Sequence, residues 1–387
     1  MKSNIKDKIT AIGFTAVLAA VLLLNIILPD QDKSVGERRA LAKMPKLTFS
    51  SVIEGDYFED LEDYAMDQFL LRDTFRAVKS SVRLNVFMQM ESNDLFIHDG
   101  HIFKLSPEVN ADAVSFNCRK VLEAAKKYWP DAKMYYSIVP EKNTFLDSSA
   151  YPGFDSELYN STVAQALPGV QNIVIDDLLS INDYYLTDPH WRQEKVIDVA
   201  DRLLSVMGNP VNDPAAFAEN TACSFYGTYH GQLPLNVDED ELVYLTGDRI
   251  DGAEVIDCET LRPDDLNGSP VDVEAMLALI EAGKSIDVYS PEKLEGMDPY
   301  DMYLGGARAL LKIYNPAGTP GRELVIFRDS FGSSIAPLLI SDYETVTLVD
   351  LRYVAADVLE TYVSAAEQTD VLFLYSQTIL NNNGVFR

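Results

Sequence analysis

The sequence contains little cysteine and no familiar metal-binding pattern. Its three cysteines, Cys118, Cys223 and Cys258, are too few for a disulfide framework, and their odd number leaves at least one unpaired. Neither a CxxC nor an HExxH pattern occurs, so the spacing of potential ligands gives no support for a structural or catalytic metal. We therefore expect neither a metal nor a cofactor.

Positive charge is also scarce. The 387 residues include 60 acidic and 32 basic side chains, which gives a net charge of −28. Such a chain is repelled by phosphate backbones and anionic headgroups, which disfavours nucleic-acid binding and attachment along an anionic membrane surface. The same acidity keeps an exported domain soluble. A hydrophobic content of 47%, without repeats or low-complexity tracts, excludes wholesale disorder.

A long apolar run lies close to the amino terminus. Residues Ile9–Leu28 are apolar apart from two threonines and Asn25, and three lysines precede them. Twenty helical residues, at about 1.5 Å each, cross a hydrocarbon core of ~30 Å. The positive-inside rule then makes residues 1–30 a single-pass anchor in the cell membrane, with a cytoplasmic amino terminus and an extracellular main domain. A cleaved signal peptide is the alternative, although the run is long and no A-x-A site follows it.

The rest of the chain alternates strand-like and helix-like segments. Residues 31–55 are polar and predict a tether, and residues 56–387 predict one large domain. Amphipathic spacing predicts one or two helices in 57–90 and another in 109–128. Apolar runs predict strands at Lys133–Val139, Asn172–Ile175, Leu324–Arg328, Val346–Val349 and Val371–Tyr375. This alternation predicts a three-layer α/β/α domain with a mostly parallel sheet, while residues 210–300 interrupt it and predict an inserted cap region.

The strand Leu324–Arg328 leads directly to a serine. Asp329 and Ser330 follow it, and Gly332 loosens the corner before the next apolar helix face. This places Ser330 at the carboxyl edge of a parallel sheet, where open α/β folds bind ligands and helix N–H groups can hold an oxyanion. The serine is therefore a candidate acyl-transfer nucleophile. The alternative is an ordinary helix N-cap.

A serine nucleophile needs a base, and the chain has only four histidines. His98 and His101 lie in a stretch that is typical of a hairpin around a glycine turn. His190 follows Asp188 by two positions, and Pro189 biases the aspartate towards extended geometry, in which both side chains point the same way. An aspartate can then orient the imidazole. The alternative is that Asp188 caps a helix that begins at Pro189.

The segments around these residues resemble a known family. The sequence TDPHW at 187–191 resembles the TDHHW signature of the DHHW-motif family, and RDSF at 328–331 resembles its K-D-S-Y block and the G-D-S block of SGNH hydrolases. Similar segments are VPEKN (139–143), FYGTYHG (225–231), MYLGGA (302–307) and VDLRY (349–353). The resemblance extends over roughly residues 50–380 and includes the SGNH-hydrolase-like alginate O-acetyltransferases. It implies that Asp188, His190 and Ser330 are orienter, base and nucleophile.

The sequence departs from that family pattern at two positions. Pro189 replaces the first histidine, which is not the one that matches the catalytic base. Ala307 stands where the asparagine of a GGN block is expected. Loss of one such oxyanion donor typically costs about 10²–10³ in turnover. The backbone N–H groups of Gly306 and Ser330 remain as candidate donors, and a weak enzyme is an alternative.

Further residues are candidates for substrate binding. Lys142 follows a strand, and a solvated loop lysine is the alternative, whereas Arg352 can instead pair with Asp350. Abundant aromatic residues, 20 tyrosines and 17 phenylalanines, fit a cleft that stacks on sugars, although most are expected in the core. The candidates are Lys142, Tyr226, Tyr229, His230, Gly305, Gly306 and Arg352.

The resemblance implies extracytoplasmic O-acyl chemistry on a surface or exported polysaccharide, most simply acetyl transfer. It also implies a membrane-bound acyltransferase partner that supplies the acyl group. A carbohydrate acetylesterase with the same three residues is one alternative, because it differs only in using water as acceptor. A non-catalytic glycan-binding scaffold is the other.

Overall fold

A computed structural model describes residues 5–34, 36–147, 151, 153–266, 270–363 and 366–387. The chain divides into two compact units. The first comprises the chain up to Phe96 together with Thr228–Val237. The second comprises Ile97–Gly227 and Asp238–Arg387.

Helices and strands occur throughout the described residues. In chain order, the α-helices are α1 (Ile5–Ile27), α2 (Phe49–Glu54), α3 (Asp56–Asp67), α4 (Arg72–Ser81), α5 (Ala111–Tyr128), α6 (Ser156–Ala166), α7 (Ile197–Val206), α8 (Thr228–Gln232), α9 (Asp248–Asp251), α10 (Pro263–Leu266), α11 (Val273–Glu281), α12 (Phe331–Ile335) and α13 (Gln377–Asn381). The strands are β1 (Lys33–Ser34), β2 (Arg39–Ala40), β3 (Leu95–His98), β4 (His101–Lys104), β5 (Lys133–Val139), β6 (Gln171–Asn172), β7 (Ala218–Phe225), β8 (Asp240–Thr246), β9 (Glu254–Asp257), β10 (Ser285–Ile286), β11 (Leu310–Tyr314), β12 (Thr319–Arg328), β13 (Tyr343–Val349) and β14 (Gln368–Ser376).

The first unit begins with the apolar helix α1. Its 23 residues are long and apolar enough to cross a membrane, and none of them is buried against the rest of the protein. The predicted amphipathic helices follow as α3 and α4. The segment predicted as a tether contains the β1–β2 pair and α2, whose N-cap Thr48 forms a capping box with Ser51.

Ion pairs join α3 and α4 to the segment that precedes them. The Asp67 carboxylate accepts hydrogen bonds from the Arg39 guanidinium (Nη1 to Oδ2, 2.7 Å) and from the backbone N–H of Ala42 (2.9 Å). Arg72 and Arg76 both pair with Glu37. This unit is therefore held together largely by charge-assisted hydrogen bonds, which are stronger than neutral ones.

The second unit is organised around an eight-stranded sheet with the order β10-β9-β11-β13-β12-β14-β5-β6. The strands from β13 to β6 are parallel neighbours, whereas β11, β9 and β10 pair antiparallel at the other edge. The mixed α/β class and the mostly parallel core of the sheet are confirmed. Part of the segment 210–300 extends this sheet, because β9 and β10 come from it.

The sheet is buried on both faces. Along β12, Leu324 and Ile326 pack into one apolar cluster with α7, while Val325 and Phe327 pack into a second cluster with α5. All four side chains are fully buried. Each contributes roughly 1.5–3 kcal/mol through removal from water. Helices therefore cover both faces, as the α/β/α prediction requires.

Candidate active site

The loop after β12 presents Ser330 at the carboxyl edge of the sheet. Ser330 occupies the N-cap position of α12, but its side chain makes no capping hydrogen bond. Its Oγ instead lies 2.7 Å from His190 Nε2. The serine hydroxyl therefore lies within hydrogen-bond distance of the imidazole and does not cap the helix, and its role as nucleophile remains a prediction.

Asp329 fixes the conformation of this corner. Its buried carboxylate accepts hydrogen bonds from the backbone N–H of Phe331 (3.0 Å) and from that of Ser376 (2.7 Å), the last residue of the neighbouring strand β14. Gly332 lets the chain turn tightly, because a Cβ atom at this position would lie 2.7 Å from the Cβ of Arg328. The two strand ends and the serine therefore form one rigid edge.

Asp188 and His190 complete a chain of hydrogen bonds with the serine. His190 Nδ1 lies 2.6 Å from Asp188 Oδ1, and the same oxygen accepts the backbone N–H of His190 at 3.2 Å. Asp188 is fully buried. The helix that the capping alternative placed at Pro189 begins instead at Ile197, so that alternative is wrong. Its prediction failed because the Asp188 carboxylate satisfies the imidazole and not a helix start.

A second buried carboxylate holds the loop that carries Asp188. Asp240 accepts hydrogen bonds from the backbone N–H of Thr187 (2.8 Å), from the Thr187 hydroxyl and from the N–H of Leu186. Burial raises the pKa of Asp240, and its hydrogen bonds with Thr187 oppose that rise. Gly227 packs directly on this loop, since a Cβ there would lie 2.3 Å from the Cβ of Asp188.

Lys142 packs against the same loop and is buried, so the alternative of a solvated loop lysine is wrong, and substrate binding by Lys142 remains a prediction. Burial lowers the pKa of its ammonium group to about 7. The side chain therefore stabilises the loop by donating hydrogen bonds to its backbone carbonyl oxygens, which a pattern of side chains in the sequence does not reveal. Its Nζ donates to the carbonyl oxygens of Ile102 (2.9 Å), Tyr185 (2.7 Å), Leu186 (3.1 Å) and Asp188 (3.2 Å).

An aromatic ring that sequence reasoning missed stacks on the imidazole. The rings of His190 and Tyr300 have centroids 4.0 Å apart and planes inclined by 10°. The Tyr300 hydroxyl donates to Ser334 Oγ (2.8 Å), which also accepts the indole N–H of Trp191 (3.0 Å). Burial raises the pKa of Tyr300, so its hydroxyl stays protonated. Trp191 follows His190 directly, so its aromatic contact with this site was visible in the sequence. No pattern near Tyr300 in the sequence indicated that its ring stacks on the imidazole.

The two predicted glycines form a tight turn. Gly305 and Gly306 have φ angles of +71° and +89°, a region that favours glycine. A Cβ at Gly306 would lie 2.4 Å from Asp301 Oδ1, and its N–H donates to the carbonyl of Tyr303 (3.1 Å). This N–H is therefore engaged within the turn. Ala307 is exposed.

Arg352 forms the ion pair that was its alternative role. Its Nε and Nη2 donate to the two carboxylate oxygens of Asp350 at 2.9 and 2.6 Å. Burial works against the charged form, but the contacts with Asp350 outweigh it and raise the pKa of Arg352. Substrate binding by Arg352 remains a prediction.

The aromatic candidates divide between the two units. Tyr226 belongs to the second unit and is 41% exposed. Tyr229 and His230 belong to the first unit, where Tyr229 is buried and His230 Nε2 lies 3.0 Å from the carbonyl oxygen of Leu235. Substrate binding by these three residues also remains a prediction.

The described residues include no cluster of three or more His, Cys, Asp or Glu side chains suited to a metal ion. The three cysteines are free thiols, and two of them, Cys118 and Cys258, are buried. Burial raises the pKa of each of these two thiols to about 12, which keeps them protonated and unreactive.

Comparison with known proteins shows similarity of fold. No protein-family model and no curated protein matches the sequence. A DHHW family protein from Eubacterium siraeum aligns with a TM-score of 0.59 and 20% identity, over 76% of this chain and 94% of its own. PatB1 from Bacillus cereus, solved with a sulfonyl adduct, aligns with a TM-score of 0.53 and 16% identity, over 77% and 98%. The chain is thus similar in fold to a DHHW family protein, and the resemblance predicted from TDPHW and RDSF is confirmed.

Proposed function

We propose that this protein transfers acyl groups through Ser330, with His190 as general base and Asp188 as its orienter. The observation that carries the proposal is the continuous chain of hydrogen bonds from Asp188 Oδ1 through the imidazole to Ser330 Oγ, with lengths of 2.6 and 2.7 Å. This division of roles is that of a Ser-His-Asp triad.

In the first half-reaction His190 Nε2 takes the hydroxyl proton as Ser330 Oγ attacks the acyl carbonyl carbon. The backbone N–H of Ser330 is the proposed donor to the resulting oxyanion. His190 then protonates the leaving group, and the acyl group remains on the serine. In the second half-reaction the imidazole deprotonates an acceptor hydroxyl, whose oxygen attacks the acyl-serine. The bond from the acyl carbon to Ser330 Oγ then breaks, and the imidazolium returns its proton to that oxygen, which restores the free enzyme.

We further propose that the acceptor is a sugar hydroxyl of a surface or exported polysaccharide, and that the transferred group is acetyl. The length and composition of α1 support a membrane anchor. The three lysines ahead of the apolar run Ile9–Leu28 support a cytoplasmic amino terminus and an extracellular catalytic unit. The acyl donor would then come from a membrane-bound acyltransferase. Protease added to intact cells should digest the unit and leave a small membrane-bound stub, whereas full protection would contradict this orientation.

The decisive assay uses the purified full-length protein, a chromogenic acetyl ester and candidate oligosaccharides. We expect a burst of chromophore followed by acetylated oligosaccharide. Release of free acetate alone, with oligosaccharide present, would select the esterase alternative. Glycan binding without turnover would select the scaffold alternative. The scaffold alternative has a specific physical basis. The Gly306 N–H is engaged with Tyr303 and Ala307 offers no side-chain donor, so neither residue supplies a free hydrogen-bond donor for an oxyanion.

A further inference from the structure

A group of apolar side chains in the first unit is exposed. We define the α3–α4 apolar surface as Met66, Phe69, Leu71, Phe75 and Val78, whose exposed fractions are 56, 40, 62, 57 and 53%. The rings of Phe69 and Phe75 are in edge contact, with centroids 5.7 Å apart. Exposed apolar side chains that lie together mark a surface that is covered by a partner or a membrane.

This surface is joined to the carboxyl end of α1. The side-chain oxygen of Asn25, in the last turn of α1, accepts the backbone N–H of Leu70 at 2.8 Å. Gln68 makes a pair of hydrogen bonds with Gln31, through its amide oxygen (2.9 Å) and its amide nitrogen (3.0 Å). The turn between α3 and α4 is therefore fixed beside the last turn of α1.

That attachment sets the depth of the turn if α1 crosses a membrane. A helix of 23 residues is about 35 Å long, slightly more than the ~30 Å hydrocarbon core. Its last turn then lies at the boundary between hydrocarbon and headgroups. Phe69 and Leu71 flank Leu70 and lie at the same level.

We propose that the α3–α4 apolar surface is seated in the interface of the bilayer that α1 crosses. The proposal rests on the membrane-spanning role proposed for α1, but not on the chemistry at Ser330. Its occupant is lipid, because the surface continues from the end of an apolar helix in which no residue is buried. An amphipathic helix of this kind lies in the interface plane with its apolar side towards the acyl chains.

The charges next to this surface indicate which lipids it takes. Arg72 and Arg76 lie along one side of α4 and are already paired with Glu37. They have little free charge to offer an anionic headgroup, and the chain as a whole is strongly acidic. The surface therefore binds through apolar contact, and zwitterionic phosphatidylcholine suffices.

The test measures depth in full-length protein reconstituted in phosphatidylcholine vesicles. Spin labels are placed singly by Phe75→Cys and Val78→Cys, in a Cys223→Ser background because Cys223 is the only one of the three free cysteines that is not buried. The matched control is Asp73→Cys on the same helix, at a side chain that is 70% exposed and turned by roughly 140–200° from the other two. Labels at 75 and 78 should collide often with oxygen and rarely with a water-soluble nickel complex, and the label at 73 should do the reverse.

Three other outcomes would overturn the proposal. Nickel access at 75 and 78 equal to that at 73 would leave the surface in water. If the nickel complex reaches the labels at 75 and 78 in pure lipid vesicles, but neither oxygen nor the nickel complex reaches them in native membranes, a protein partner covers the surface. A label placed by Leu18→Cys in the middle of α1 tests the membrane-spanning role of that helix. If the nickel complex reaches this label freely, α1 does not cross the bilayer and the proposal falls with it. Activity at Ser330 is measured independently, so this result leaves the proposed chemistry untouched.

Discussion

The two units of this protein differ in what holds them together. In the second unit two apolar layers bury the sheet, and the buried carboxylates of Asp188 and Asp329 lie within hydrogen-bond distance of the His190 imidazole and the backbone N–H of Phe331, respectively. In the first unit few apolar side chains are buried, and Glu37 and Asp67 join helices through arginines. The second unit is therefore held together by its apolar core, whereas the first depends more on charged side chains for its cohesion.

Exposed apolar side chains are distributed differently in the two units. Large exposed apolar side chains of the second unit, such as Phe116 and Val211, lie far apart in sequence on different elements. Those of the first unit recur along α2, α3 and α4 and the segment after them, as with Phe49, Phe75 and Met88. Single exposed apolar residues are common on soluble proteins, whereas a dense group of them marks a surface that contacts a partner or a membrane. We therefore expect substitutions at the candidate site of the second unit to change acyl-enzyme formation, and substitutions of the paired charges in the first unit to change only its stability.

The largest expected effect is loss of the proposed nucleophile. Ser330→Ala should abolish labelling by a sulfonyl fluoride and all acyl-enzyme formation, because no other hydroxyl is bonded to His190 Nε2 among the described contacts. The melting temperature should stay within a few degrees, since the change lies at the sheet edge. Mass spectrometry of the labelled peptide makes the measurement. Ser205→Ala, on the exposed side of α7, is the control, and equal labelling of the Ser330 variant would place the nucleophile elsewhere.

The orienting aspartate should have the next largest effect. Asp188→Asn preserves the shape of the side chain but favours the wrong imidazole tautomer, and in serine proteases that change lowers turnover by about 10⁴. Burst kinetics at an unchanged melting temperature provide the measurement. His190→Ala should be at least as damaging, while His98→Ala should be tolerated. A rate within about threefold of wild type, only ~0.65 kcal/mol in barrier, would remove the triad.

The stacked tyrosine should have a moderate effect that depends on its ring. Tyr300→Leu removes the aromatic face over His190, and a cation held over such a ring gains roughly 0.5–2 kcal/mol. The imidazolium that forms during acylation should be less stable, so turnover should fall by about tenfold. Tyr300→Phe keeps the ring and should retain most of the turnover. Equal rates for the two variants would reduce the role of Tyr300 to packing.

Cohesion of the first unit should respond to Asp67 without any effect on chemistry. Asp67→Asn removes the charge that Arg39 contacts, and hydrogen bonds to charged groups contribute roughly 1.5–3 kcal/mol each. Hydrogen exchange of amides between 36 and 96 should therefore become faster, while the rate of acyl-enzyme formation stays unchanged. Asp60→Asn, on the exposed side of α3, is the matched control. A slower acylation in the Asp67 variant would show that the two units are not independent.

The smallest expected effect is a pH dependence confined to acid. The Arg39 guanidinium lowers the pKa of Asp67 to about 2, from an ordinary value of 3.8. The unfolded chain therefore binds this proton first, so the stabilisation is complete above about pH 4 and is lost as pH falls through about 2. The difference in exchange rate between wild type and Asp67→Asn should shrink over that range. A difference that stays constant down to pH 2 would assign the stabilisation to another group.

Local patterns in the sequence predicted the positions of strands well where the strand is buried along its whole length. Strand β5 has the predicted bounds Lys133–Val139, and the strand that leads to Ser330 lies where its apolar run predicted. Prediction was less accurate at a sheet edge, where β6 contains only Gln171–Asn172, and in segment 210–300, where β9 joins the sheet through β11. Edge strands have weak periodicity because partners far along the chain decide their pairing.

The candidate site divides in the same way. Asp188 and His190 are two positions apart, so their contact follows from local geometry and was visible in the sequence. The contact of His190 with Ser330 spans 140 positions, and only the tertiary structure brings these two residues together. The roles of Lys142 and Tyr300 were decided wholly by tertiary structure, because one binds backbone carbonyls and the other stacks on a ring. Neither backbone oxygens nor ring planes leave a trace in side-chain spacing, whereas periodic burial does.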